Sequence, residues 1–485
     1  MQGVFARGFP SLALLVVAAL VEREGWEVVL VDENHDAIPT QSPDVALIVC
    51  WTGLAPQAYA AAATYRSRGV PVVLGGIHPS MLPGEALRHC DAIVAGEAEA
   101  VMPELLTDVL CSRLRPIYHG RWGDMSATPD VRDYGHLYQR FPNSRYRPTH
   151  THQSTRGCRF NCDFCSVIRI NGRGSRHLDP ARTVEELRYR TRMPPRMPGK
   201  IFVFFTDDDL AADLDYLAAL LEALVAADLP VRWGGQASIG MARHPELLAL
   251  AQQSGCATIF TGFESVSRDS LIEANKKNRP NEYAGLIGAM HDHGIAVEGG
   301  FIFGFDHDRP DVFDHTVEYV QDAGVDTAHF TILTPFPGTA TFARMYGDGR
   351  VFDTNWSHYT SYRTVFEPAH MSADELDAGL AHAYRRFYSR PLRWARARRS
   401  FGVLPNLSWA SEAAINYSWS RVYNAKRRTP SELHFTADPA DLDDLLRTSA
   451  APASDAITTA ISMVDPTRRL PGSDLVTPVT LGSRL

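Results

Sequence analysis

Cysteine is scarce in this chain, with seven in 485 residues. That is too few for a disulfide scaffold, which packs cysteines far more densely. Positive charge is in deficit: 48 Lys and Arg stand against 56 Asp and Glu, a formal charge of −8. A generic nucleic-acid or anionic-membrane binder would be basic, so neither partner is expected. Long apolar runs are missing as well. The only membrane-like stretch, Leu12 to Leu20, is too short to span a bilayer, for which about 20 apolar residues are needed. Arg7 precedes it in the manner of a signal peptide, but Val21-Glu22-Arg23-Glu24 follows at once with no cleavage region. A cytoplasmic protein without a transmembrane segment is expected. No Ser-His-Asp or paired-carboxylate constellation is present to suggest acid–base hydrolysis.

What is present is ordinary globular material, 45% hydrophobic and 21% charged, in a length that predicts about three domains. The first hundred or so residues alternate helix-like and strand-like segments. A helix is expected from Leu12 to Glu24, then strands at Trp26–Val31, Val45–Cys50, Val70–Leu74 and Ala92–Ala95, with a further helix from Ala55 to Arg66. Such alternation implies a doubly wound parallel sheet, whose ligands bind beyond the carboxyl ends of its strands. Those ends carry Asp32, Thr52, Gly75, Gly76 and Gly96. A domain of this kind should open with a strand before its first helix, and Met1 to Pro10 leaves little room for it, so the sheet is expected to lack its first strand.

Residues 1–112 are therefore read as one domain and 113–149, rich in Pro, Asp, Tyr and Arg, as a linker. From His150 the alternation resumes, with strands expected at Ile201–Phe205, Pro230–Trp233, Ala257–Thr261, Ala296–Phe303 and Ala328–Leu333. This second α/β unit, 150–345, suits a partial (β/α)6 barrel with its site at the strand carboxyl ends. Residues 346–435 are read as a mostly α, aromatic-rich region covering the barrel, where a capping box, Ser372-Ala-Asp-Glu375, opens a helix running to about Ser389. From Thr436 onward there is no Phe, Tyr or Trp, and 436–485 is expected to be mostly disordered apart from a short helix.

Three cysteines fall together: Cys158-Arg-Phe-Asn-Cys162-Asp-Phe-Cys165. Thiolates at this spacing can wrap one soft metal centre from a short loop. Structural zinc would want a fourth ligand, which only His150, His152 or His177 could supply. A disulfide suits neither the odd number nor the compartment. On a four-iron cube, three cysteines leave one iron open to a substrate or cofactor. Cys50, Cys90, Cys111 and Cys256 stand singly and read as buried small hydrophobes.

This motif resembles that of the radical S-adenosylmethionine (SAM) superfamily, Cys-x3-Cys-x2-Cys with an aromatic residue before the last Cys, here Phe164. The resemblance implies a 4Fe-4S cluster on Cys158, Cys162 and Cys165. Its open iron would chelate SAM, and one electron would release a 5′-deoxyadenosyl radical. The likeness continues at later strand ends: Asp207-Asp208-Asp209, Gly262-Phe-Glu264-Ser265, Gly300-Phe-Ile302-Phe-Gly304 and Thr334-Pro-Phe-Pro-Gly-Thr339. It implies SAM contacts from Phe164, Asp207, Asp208, Glu264, Ser265, Ile302 and Thr334. The acid that should close the Gly-x-Ile-x-Gly pattern is replaced by His307, with Asp306 adjacent.

The N-terminal region is similar to the cobalamin-binding domain that precedes such barrels in one large class, through Phe9–Leu15, Gly75-Gly-Ile-His-Pro79 and Asp91–Glu97. The implied cobalamin contacts are Asp32, Thr52, Gly75, Gly76, His78, Gly96 and Glu97. The Asp-x-His-x-x-Gly motif that supplies an axial His elsewhere is absent, and His35 near Asp32 is wrongly spaced. Within that class, Gly299–Asp308, Phe366–Met371 and Tyr384–Tyr388 resemble the branch containing hopanoid C-2 methylases. The implied activity is methylation of an unactivated carbon in a small-molecule, lipid or peptide substrate. An external one-electron reductant of flavodoxin or ferredoxin type would be needed. A rearrangement, cyclisation or oxidation on the same cofactors is the alternative. RNA methylthiolation would require further cluster cysteines near the N-terminus and a β-rich C-terminal module, and a non-catalytic Fe–S regulator would form no deoxyadenosine.

Overall fold

The computed structural model describes residues 11–33, 36–140, 150–193, 200–403 and 435–449. Alanines and a proline at the first turn make Ala55–Arg66 a strong helix former. It packs on the first of two parallel sheets. That sheet holds β1 (Ala46–Val49), β2 (Val72–Gly75), β3 (Ala92–Ala95) and β4 (Ile117–His119), side by side in chain order. Alternate residues of β2 enter different layers. Val72 and Leu74 pack under Ala55–Arg66, while Val73 packs with helices Leu12–Arg23 and Met102–Leu110. Helices thus cover both faces, as parallel strands with helical crossovers require.

Trp26–Val31 is not a strand. Its alternation is real, since Trp26, Val28 and Leu30 pack inward while Val29 is 67% exposed. A strand also needs a neighbour to satisfy its backbone, and among the described residues none pairs with this run. The expected lack of a first strand concerns residues 1–10, which lie outside the described ones. The stretch read as a linker carries structure: β4 pairs with β3, and a capping box of Asp130 and Asp133 opens the short helix Val131–Tyr134. Cys50, Cys90 and Cys256 are buried as expected, but Cys111, just past the end of its helix, is exposed.

The second sheet runs in the order β12 (Thr327–Ile332), β11 (Ala296–Phe303), β10 (Cys256–Glu264), β9 (Val231–Gln236), β8 (Ile201–Phe205) and β5 (His150–His152), all parallel. One face packs under helices through Val203, Trp233, Ile259, Phe301 and Phe330. The period of two turns Phe204, Phe260 and Ile302 to the other face. Between β5 and β8 the chain forms a minimal antiparallel hairpin, β6 (Thr155–Arg156) with β7 (Arg176–His177).

β12 is an edge strand, and an uncovered edge exposes unpaired backbone groups. The helix Ala373–Phe387, capped by Ser372 and Glu375 as expected, closes that edge. The Tyr384 hydroxyl accepts from the Phe330 N–H (3.1 Å) and donates to its carbonyl (2.9 Å). Tyr388, four residues on, does the same at Ala328 (3.2 and 2.8 Å). The short helix Pro439–Ser449 docks back on the N-terminal domain, with Leu442 and Leu445 in its core and Asp441 paired to Arg88.

Candidate active site

All three motif cysteines lie on the loop between β6 and β7, and carboxylates following β8 hold that loop by its backbone. Asp207, 0% exposed, accepts from the Ser154 N–H (3.1 Å), the Ser154 hydroxyl (2.7 Å) and the Thr155 N–H. Burial pushes its carboxyl up to about 6, although these donors favour the charge. Asp208 accepts from the Gly157 N–H and the Asn171 side-chain amide, both at 2.8 Å. On the far side, the Asp163 N–H donates to the Ala274 carbonyl (3.1 Å), and the Asn275 amide donates to the Asn161 carbonyl (2.8 Å).

The thiols sit in surroundings hostile to thiolates. Burial, reinforced by Asp209, pushes Cys158 up to about 12; burial, reinforced by Cys162, does the same to Cys165. Cys162 is raised too, mainly by burial, with Lys276 pulling the other way. Three neighbouring thiols whose ionisation burial opposes suit a positively charged iron–sulfur core, which a thiolate set binds and neutralises. Among the described residues, no three His, Cys, Asp or Glu side chains gather as a single metal ion needs. The histidines open to a zinc reading are engaged elsewhere: His150 packs edge-on to Tyr138, His152 lies beside Thr183 and Glu186, and His177 stacks on Tyr216.

Next to the thiols, β10 ends irregularly. Its register against β11 slips between Gly262 and Glu264, and Glu264 takes φ +69°. A bulge with a non-glycine residue in the left-handed region re-aims a side chain at a backbone cost, and such costs cluster at functional sites. Glu264, 3% exposed, receives Lys276 Nζ at 3.0 Å. Burial alone would lower the Lys276 ammonium, but the Glu264 carboxylate and the cysteine sulfurs outweigh it and the net shift is upward. Asp209 Oδ1 accepts from the Ala211 and Ser238 N–H groups, while Oδ2 is buried with no partner. An open carboxylate oxygen beside Cys158 suits the ammonium of an amino-acid ligand. Sequence reasoning missed Lys276 altogether and passed over Asp209, the third acid of its own run.

Other predicted SAM contacts also stand near the strand ends. Phe164 is half-buried against the barrel core, as is Ile302 on β11. The Ser265 hydroxyl accepts from the Ser267 N–H, and Thr334 is buried with its hydroxyl on the Ile332 carbonyl. The acid closing the Gly-x-Ile-x-Gly loop is Asp308, which accepts from the Gly304 N–H, the Phe305 N–H and the Ser270 hydroxyl. Asp306 instead pairs with Arg344 and Arg350.

In the N-terminal sheet, Thr52, Gly75, Gly76 and Gly96 all fall beyond or at strand carboxyl ends, whereas Asp32 ends an unpaired run. His35 lies outside the described residues. His78 is 0% exposed: its Nε2 lies 3.0 Å from both Glu85 and the Tyr59 hydroxyl, and Nδ1 lies 3.4 Å from the Thr52 hydroxyl. Trp356 Nε1 donates to both oxygens of Glu85 at 3.0 Å, tying the C-terminal region into this group. Glu97 pairs with Arg176 and, at 3.5 Å, with Arg156.

The carboxyl ends of the two sheets therefore meet. Glu97 reaches the neck of the cysteine loop, the Trp122 indole donates to the Ile170 carbonyl (2.6 Å), and Met81 packs against Gly338 after β12. Fold and site together define a class: an iron–sulfur enzyme on an open α/β barrel, joined strand-end to strand-end with a doubly wound domain.

Comparison with known proteins agrees. The B12 binding domain family matches residues 3–106 and the radical SAM superfamily matches 153–320. The bacteriochlorophyllide d C-12(1)-methyltransferase of Chlorobaculum tepidum is 31% identical, over 79% of this chain and 86% of its own length. The hopanoid C-2 methylase of Rhodopseudomonas palustris is 25% identical, over 82% of this chain and 80% of its own length. The structure of TsrM, a radical SAM methyltransferase from Kitasatospora setae with cobalamin and a [4Fe-4S] cluster bound, superimposes with a TM-score of 0.58 at 15% identity, over 86% of this chain and 96% of that one. This last likeness is one of fold. The chain belongs to the B12-binding radical SAM family, and the hopanoid resemblance read from sequence is the more distant of the two relationships named. It is an enzyme of that family, working with a [4Fe-4S] cluster, SAM and cobalamin. No helix among the described residues is long and apolar enough to cross a membrane.

Proposed function

We propose that this enzyme transfers a methyl group to an unactivated carbon of a bulky, largely apolar small molecule. The observation that carries the reading is the meeting of the two sheets' carboxyl ends, which brings the cysteine loop beside the glycine-bearing end of the N-terminal domain. Two relatives named above methylate a bacteriochlorophyllide and a hopanoid, both carbon acceptors by their names. Phe204 and Phe260, both 5% exposed, and half-buried Ile302 make the second face of the barrel sheet apolar and aromatic, a lining that suits such a substrate.

When bound, the cluster and SAM supply the one-electron cleavage that starts hydrogen-atom removal, and cobalamin supplies the methyl group. The chain's part is position and exclusion of water. Cys158, Cys162 and Cys165 hold the cluster. Asp208, Asp209, Glu264, Ser265, Ile302 and Thr334, with Phe164, would hold SAM, and the open oxygen of Asp209 would accept from its ammonium. Asp207 acts behind them by fixing Ser154 and Thr155. Thr52, Gly75, Gly76 and Gly96, with Asp32, border cobalamin, while His78, closed in by Glu85 and Tyr59, and Glu97, turned to Arg156 and Arg176, stand behind them and do not touch it. In domain terms, 1–112 serves cobalamin, 150–345 the cluster and SAM, and 346–435 the sheet edge and the contact between domains. The electron comes from a flavodoxin or ferredoxin type donor.

The test is anaerobic reconstitution with iron, sulfide and cobalamin, followed by desalting and assay with SAM and reductant. A corrinoid that stays bound, deoxyadenosine formation lost in Cys162→Ala, and a product heavier by one methyl group are expected. A product of unchanged carbon count would replace methylation with rearrangement or cyclisation, and loss of the corrinoid would end the reading.

A further inference from the structure

The neck of the cysteine loop is made of too little to hold itself. β6 and β7 are two residues each, and a hairpin that short has no independent stability. Its cross-strand partners are worse than neutral, because Arg156 stands directly opposite Arg176. Like charges in that position push strands apart. Yet Arg156 is largely buried, with its side chain 11% exposed, and Arg176 is a quarter exposed.

The missing charge comes from the other domain. Glu97, 10% exposed, bridges the two guanidiniums: Arg176 NH1 donates to Oε2 at 3.0 Å, and Arg156 NH1 lies 3.5 Å from Oε1. Glu99, equally buried, takes Arg156 NH2 at 2.6 Å. Two carboxylates of the N-terminal domain thus balance two arginines of the hairpin. Each end of this bridge is seated without slack. Gly96 has φ +93°, and a Cβ there would lie 2.3 Å from the Gly120 carbonyl oxygen. Gly157 has φ +97°, and a Cβ there would lie 2.5 Å from the Gly174 carbonyl oxygen. The bridge runs on to the site, because Arg176 NH2 donates to the Asn171 carbonyl (3.0 Å) and the Asn171 amide donates to Asp208 (2.8 Å).

We propose that Glu97 and Glu99, with Arg156 and Arg176, form a positioning latch that fixes the cluster-bearing loop to the cobalamin-binding domain and so couples hydrogen-atom removal to methyl delivery. The coupling half rests on the function proposed above; the latch itself does not. Glu97 is a positioning residue. It acts through the arginines and bonds no thiol.

The experiment compares wild-type full-length protein with Glu97→Gln and with Glu97→Gln/Arg176→Gln. The first arm is amide hydrogen exchange in the protein as purified, without cofactors. Glu97→Gln leaves Arg176 without its carboxylate opposite Arg156, which Glu99 still holds, and exchange across 155–177 should quicken about tenfold or more while the strands of both sheets stay protected. The double variant removes the repulsion as well and should recover most of that protection. Unchanged exchange in Glu97→Gln, or a double variant no better than the single, overturns the latch. The second arm uses reconstituted enzyme: Glu97→Gln should still form deoxyadenosine, but methylated product per deoxyadenosine should fall about tenfold, the effect of a small displacement between reacting groups. A wild-type ratio in that variant overturns the coupling. A wild-type enzyme that methylates nothing refutes the proposed function instead, and the exchange arm still decides the latch.

Discussion

Replacing Lys276 with Met tests whether the irregular end of β10 is held by charge. Lys276 Nζ is 3.0 Å from Glu264 Oε1, both side chains are largely buried, and Glu264 already carries the strain of φ +69°. Methionine keeps most of the side-chain volume and removes the ammonium, stranding a carboxylate away from water. Breaking such a pair from one side costs ~3–5 kcal/mol, most of it the penalty on the charge left behind. Replacing both partners, Lys276→Met with Glu264→Gln, removes the stranded charge and should return most of that loss. Because a chain of several domains need not unfold in one step, the quantity to measure is the local opening free energy of β10 from hydrogen exchange, run as a double-mutant cycle. A coupling of roughly 2 kcal/mol or more is expected from a pair this buried. A coupling below about 0.5 kcal/mol, the level of an exposed surface pair, would refute the reasoning. The double variant also separates stability from function: it should fold, yet form little deoxyadenosine if Glu264 holds SAM.

Asp308 gives a pH prediction. Burial pushes its carboxyl up to about 6 from an ordinary value near 3.8, against the pull of the Gly304 and Ser270 donors. The folded state therefore binds a proton that the unfolded state has released. The stability this contributes is full below the unfolded value and is lost as pH rises through about 6, a change of ~3 kcal/mol. Asp308→Asn has no such proton, so its stability relative to wild type should improve between pH 4 and pH 7. Urea midpoints of both proteins that differ by the same amount at the two pH values would contradict this. For Trp356→Phe, Glu85 keeps His78 and Tyr59 but loses the indole N–H. A cost of ~1.5–3 kcal/mol is expected, as for a hydrogen bond to a charged group. Limited proteolysis should then cut the 352–366 segment sooner than in wild type; equal cleavage rates would show that the indole is not a tether.

Much of the site was legible in the sequence because its information is local. A cluster loop needs its thiols a few residues apart, so Cys158, Cys162 and Cys165 announce themselves by spacing. Capping is equally local: Ser372 and Glu375 satisfy each other's backbone within one turn, and the helix begins where they say. Strands buried on both faces read as apolar runs, and turns between them carry the glycines, so the order of elements and the chemistry at their ends could be read along the chain. What the sequence could not carry is any decision taken between distant segments. Trp26–Val31 has a strand's alternation and no ladder, because pairing is a property of two segments. Tyr384 and Tyr388 stand in the sequence only as part of a family likeness until their four-residue spacing meets the two-residue repeat of β12's open edge. His78 sits in a glycine-rich turn that suggests a ligand, yet the fold closes Glu85, Tyr59 and Trp356 around it. Lys276 carries no signal at all on its own, and Glu97 reads in the sequence as a cobalamin contact, with nothing to mark it as the partner of two arginines. Their meaning is electrostatic, and it exists only once folding has removed the water that would otherwise have screened a lone lysine from Glu264 and a lone glutamate from two arginines.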